Sequence, residues 1–113
     1  MTVAALNCQM LALTSYKADI EFKLQRIMDQ RQYLAYKTIN ISNAKAKAMQ
    51  EENDAAQSVL QQQEPVIQAY DKICEMYQGN LETQQKAAAT ELESGQKLLE
   101  SNVKREFKIN ANG

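Results

Sequence analysis

Stepping along the chain from Leu6 by four residues and then by three gives Leu6, Met10, Leu13, Lys17, Ile20, Leu24, Ile27, Arg31, Leu34, Thr38, Ile41, Lys45 and Ala48, and nine of these thirteen positions are apolar. A 3.5-residue repeat held this long lines one side of a helix and keeps that side on a partner as two helices wind together. Lys17 and Arg31 interrupt the stripe, but their aliphatic stems can lie over a seam while the charged heads reach water. The stripe predicts a first helical arm over residues 3–55, filled by the helix formers Ala, Gln, Lys, Glu, Met and Leu. Its weakest stretch is Asn40-Ile41-Ser42-Asn43, where short polar side chains compete with the backbone for hydrogen bonds.

Pro65 is the firmest punctuation. Proline suits the first turn of a helix, and it pushes the residue before it away from helical dihedrals. The sequence therefore predicts a connection over residues 56–65 and a second arm over residues 65–108. A second stripe follows at 3-4 spacing: Ile67, Tyr70, Cys74, Tyr77, Leu81. Gly79-Asn80 offers a left-handed helix cap, yet the stripe continues through it. Beyond lie Ala88, Leu92, Leu99, Val103 and Phe107, with a slip of register past Gly95. Residues 109–113 read as a polar, frayed end.

An arm of about 50 residues is roughly 75 Å long. It cannot cover its stripe alone, so it must fold back or meet another chain. A reversal between Glu52 and Glu64 gives arms of similar length. A reversal at 41–43 leaves unequal arms and is the lesser alternative. No alternation of apolar and polar residues bounded by hairpin turns competes with the helical pattern. The expected fold is all-α: one module, 1–113, forming an elongated helical hairpin or coiled coil that self-associates into a bundle or larger assembly.

Charge sharpens this picture. The formal net charge is −1, so no global field favours nucleic acid or an anionic membrane. Lys17 to Lys47 carries seven basic residues against three acids, whereas Glu51 to Glu93 carries nine acids against two bases. A reversal in the 52–64 window lays the basic arm on the acidic one. Tyr16, Tyr33 and Tyr36 interleave with the basic residues, as a single-strand stacking surface requires. Asp19, Glu21 and Asp29 break that strip, and an electrostatic match between arms or subunits is favoured over it; the plainest reading of the two charged stretches is that they are solvated faces.

Candidate chemistry is sparse. The chain has no histidine, which removes the commonest general base and metal ligand. Gly79, Gly95 and Gly113 are isolated and form no phosphate loop. Carboxylate pairs such as Asp71 with Glu75 read as solvated helix faces. Cys8 and Cys74 are too few for a metal site and read as free, buried thiols. No catalytic residue, cofactor or metal is expected. The apolar run Val3–Leu13 is too short to span a bilayer and lacks the basic flank of a secretory signal. The expected location is cytoplasmic, or outside the cell by a route without a cleaved signal.

In size, uncharged N-terminal stretch and two-arm plan, the chain resembles the small helical-hairpin subunits of bacterial secretion and flagellar-type filaments. The resemblance is one of plan alone. Pro65 stands by itself where type III needle subunits carry a Pro-flanked turn, and Tyr77-Gln78-Gly79 only distantly echoes the Trp-x-Gly turn of small type VII secreted hairpins. No family assignment rests on it. The expected function is that of a non-enzymatic structural or assembly subunit, a homo-oligomer with a secretion-related or filamentous setting. The alternative is a cytosolic coiled-coil adaptor or export chaperone that binds a different protein client. The expected interaction residues are Leu6, Met10, Leu13, Ile20, Leu24, Ile27, Leu34, Ile67, Tyr70, Tyr77 and Leu81, with Val3–Leu13 as the working surface. Neither nucleic acid nor a membrane span is expected.

Overall fold

The computed structural model describes the backbone of residues 2–112 and the side chains of residues 2–109. It is a helical hairpin of two helices, α1 (Val3–Gln50, 48 residues) and α2 (Asp54–Asn112, 59 residues). There is no strand among the described residues. Thr2 starts α1: its hydroxyl accepts from the Ala5 amide at 3.1 Å and its carbonyl from the Leu6 amide at 3.0 Å, the pattern of an N-cap.

The reversal occupies only Glu51, Glu52 and Asn53. The Asn53 amide donates to the Ala48 carbonyl at 2.9 Å and the Glu52 amide to the Met49 carbonyl at 3.2 Å. These are the two bonds of a Schellman ending, with Glu52 at the left-handed position, φ 55°. Asn53 then caps the next helix, its side-chain oxygen accepting from the Ala56 amide at 3.1 Å. Asp54 adds a carboxylate where the helix dipole favours one. From α2, the Gln57 side-chain amide reaches back to the Ala48 carbonyl at 3.3 Å.

The connection expected over residues 56–65 is therefore helix, and the turn lies at 51–53, at the near edge of the favoured window. Pro65 sits inside α2. A proline there removes one backbone bond at a cost of about 3 kcal/mol in an otherwise unsupported helix. Here Pro65 is solvent-exposed, while Glu64 and Ile67 on either side are held against α1. The weak stretch at 40–43 and the candidate cap at Gly79-Asn80 are both continuous helix. The end expected to fray is helical to residue 112, and Gly113 lies outside the described residues.

The hairpin divides into two compact units. In one, Leu24–Asn80, the buried side chains are Leu24, Leu34, Ile41, Ala48 and Cys74. In the other, α1 up to Lys23 pairs with α2 from Leu81 onward, burying Leu6, Ile20, Leu81, Ala88 and Asn102. On α1 the covered positions are those of the expected stripe, with Thr38 alone exposed among the thirteen. On α2 they are Gln57, Leu60, Glu64, Ile67, Asp71, Cys74 and Gln78 in the first unit, then Leu81, Gln85, Ala88, Leu92, Gly95, Leu99 and Asn102 in the second. The 3-4 spacing never slips. The expected slip past Gly95 arose because Gly95 and Asn102, both on the seam, carry no apolar side chain to mark it. Gly95 is there because a Cβ would stand 2.6 Å from the Met10 sulfur.

Replacing Glu52 by Gly relieves the left-handed strain and is expected to raise unfolding free energy by about 1 kcal/mol. Asn53→Ala is expected to lower it by about 1 kcal/mol through loss of the cap. Urea titration followed by circular dichroism measures both. Gly79 has nothing within 4 Å of a built Cβ, so Gly79→Ala is expected to stabilise α2 by about 0.5–1 kcal/mol. Gly95→Ala is expected to gain less, because Met10 must swing aside; equal gains in the same titration would contradict the close approach.

Candidate interaction surfaces

Two ion pairs between the helices lie on one side of the Leu24–Asn80 unit. Arg31 donates from Nε to Asp71 Oδ1 at 3.0 Å, from Nη2 to Asp71 Oδ2 at 3.4 Å and from Nη1 to Gln78 Oε1 at 3.0 Å. The hydrogen bond that Arg31 donates to Asp71, followed by the charges of Asp71 and Glu75, raises the Arg31 pKa above its already high ordinary value, against the opposing effect of desolvation. Nearer the turn, Lys45 pairs with Glu64 at 3.1 Å, both side chains 30% exposed. These pairs join the basic stretch of α1 to the acidic stretch of α2. Asp71, Gln78 and Glu64 occupy seam positions that apolar side chains would otherwise fill.

The other exposed side of α2 in this unit is different in kind. Val59, Val66, Tyr70, Ile73 and Tyr77 follow 7-4-3-4 spacing and are 54%, 68%, 52%, 64% and 48% exposed. Met76, 69% exposed, borders them. With Gln62, Gln63 and Ala69 these residues fill an arc of roughly 140° at 3.6 residues per turn. The arc contains no charge: between Val59 and Tyr77 the charged residues are Glu64, Asp71, Lys72 and Glu75, and all four project from the remaining arc. Beside the band, towards the turn, an open groove runs between the helices, floored by Ile41, Leu60 and Ile67 and edged by Ala44 and Asn40 of α1 and Val59 and Val66 of α2.

Of the expected interaction residues, Leu6, Ile20, Leu24, Leu34 and Leu81 are buried, and Met10, Leu13, Ile27 and Ile67 are half-buried. They form the seam between the chain's own helices. Tyr70 and Tyr77 lie outside the seam and belong to the exposed band. Val3–Leu13 does not need a neighbour to cover its seam side, because α2 from Leu81 onward does so: Leu6 is 2% exposed. Its other sides stay open, with Leu11 at 71%. Cys74 is buried as expected, but Cys8 is exposed, and both thiols are free. Sequence reading missed Val59, Val66 and Ile73. Their spacing with Tyr70 and Tyr77 is the signal that would have found them.

Among the described residues no group of three or more His, Cys, Asp or Glu side chains is placed to hold a metal ion. Among the described residues no helix is long and apolar enough to cross a membrane. No family model, curated protein or solved structure matches the chain.

A double-mutant cycle on Lys45→Ala and Glu64→Ala is expected to give a coupling of about 0.5–1 kcal/mol at low salt. The coupling is expected to shrink at about 0.5 M salt, where screening reaches only a few ångströms. A coupling near zero at low salt would show that this pair does not help to hold the helices in register.

Proposed function

We propose that the protein is a non-enzymatic structural or assembly subunit, a helical hairpin that associates with further copies of itself through the exposed band on α2. The observation that carries this reading is the charge-free run of Val59, Val66, Tyr70, Ile73, Met76 and Tyr77, half or more exposed at nearly every position. Together they present on the order of 600 Å² of largely apolar surface, at the top of the roughly 300–600 Å² range of the largest patch on a typical monomer. A standard stable interface buries about 800 Å² on each partner, so the band is near the size required. Aromatic residues and Met with few charges also match the composition of interface cores. Exposed positions elsewhere intersperse apolar side chains with charges, as at Tyr33, Tyr36 and Lys37, where the Lys37 ammonium stands 5.3 Å from the Tyr33 ring centroid.

The test is sedimentation across concentration. The parent is expected to associate, and Val66→Glu with Ile73→Glu is expected to weaken association at least a hundredfold, since covering Val or Ile is worth about 1.5–3 kcal/mol each. Both positions are exposed in the hairpin, so the helical circular dichroism signal should be unchanged. A parent that remains monomeric at about 100 µM would remove the proposal.

A further inference from the structure

We infer that two copies pair through α2 in antiparallel sense about a twofold axis between Val66 and Tyr70, each copy seating its two tyrosines in the groove of the other. The inference rests on the self-association proposed above and assigns its geometry. The band is not uniform along its length. Towards the turn it has the small residues Val59 and Val66 beside the open groove edged by Ala44 and Asn40. Away from the turn it has the two large side chains, Tyr70 and Tyr77, each about half exposed. One end is a recess and the other a pair of projections.

Antiparallel pairing brings these ends together. Counting out from an axis between Val66 and Tyr70, Tyr70 of one copy meets Val66 of the other. Tyr77 meets Val59, and Ile73 meets Gln63, whose methylene stem can lie along it. The three layers then each set a larger side chain against a smaller one, and Val59, Val66, Tyr70, Ile73 and Tyr77 are all covered, with Met76 at the border. This is also the layer pattern that antiparallel helices with 3-4 spacing produce, since positions of one row face positions of the alternate row. Parallel pairing in register would instead place tyrosine on tyrosine and recess on recess. Shifting the antiparallel register by one heptad would set Val59 against Gln84, beyond the band. Asn40 and Lys37 lie at the groove rim and offer polar atoms to the phenol hydroxyls, which need a partner when covered. The isologous arrangement closes on itself, so the band is used up in a dimer.

Cysteine cross-linking tests the geometry apart from the association itself. In a Cys8→Ser background, Cys74 remains but is buried. Val59→Cys and Tyr77→Cys are made on separate chains, mixed and mildly oxidised. In the inferred dimer the mixed disulfide is expected to exceed either self-linked product at least about tenfold, because like positions lie roughly 27 Å apart at 1.5 Å per residue. Gln63→Cys mixed with Ile73→Cys repeats the test with both tyrosines and both valines intact. Self-linked products of single variants would show parallel pairing. Absence of links while the parent sediments as a dimer would place the interface or register elsewhere. Either result overturns the geometry and leaves self-association standing, whereas a monomeric parent overturns both.

Discussion

Two helices packed side by side cover one stripe on each and no more. Everything else in this protein follows from how that single covered line is filled. The nine buried apolar residues and Asn102 all lie on it. A core this thin leaves no room for apolar side chains elsewhere, so those on other rows face outward whatever their hydrophobicity. Val66, Ile73 and Met76 are 64–69% exposed for that reason, not because the hairpin is badly packed.

The covered line is also unusually polar on one side. In the Leu24–Asn80 unit the α2 positions alternate between apolar residues, Leu60, Ile67 and Cys74, and polar ones, Gln57, Glu64, Asp71 and Gln78. Lys45 and Arg31 of α1 answer them. Half-exposed ion pairs contribute little to stability. What they supply is register: Glu64 and Asp71 are seven residues apart, so sliding α2 by one heptad would leave only one of the two basic residues facing a carboxylate, while the apolar rows would match nearly as well. Polar groups within a seam are best attested in this specifying role. The three-residue turn imposes the same register from the end, since Asn53 closes α1 and opens α2 and leaves no slack.

The first helix was legible in the sequence almost residue by residue, because its seam positions are also its most apolar ones. The second was legible as a helix but not in phase. Ranking by hydrophobicity selects Tyr70 and Tyr77, whereas the covered residues are Asp71 and Gln78, one position on. The two choices share Ile67, Cys74 and Leu81, so the sequence carries two overlapping stripes and offers no local reason to prefer either. Only the partner resolves it: Arg31 requires a carboxylate, and Asp71 provides one. The turn was misplaced for a similar reason. Proline is the loudest local signal, but Glu51-Glu52-Asn53 turns the chain through backbone bonds that no glycine announces.

The misreading of α2 is itself informative about the surface. A stripe apolar enough to be mistaken for the core, and lying outside it, is a stripe whose composition the hairpin does not explain. On α1 the exposed apolar side chains, among them Leu11, Phe22, Met28, Tyr33, Tyr36 and Ile39, share their side of the helix with the charges of Asp29 and Lys47. Between Val59 and Tyr77 the exposed arc of α2 is free of all four charges that the segment carries. Exclusion of charge has a physical basis only where water is to be removed. The hairpin leaves the arc exposed, and covering it is the role that the proposed self-association gives to a second copy.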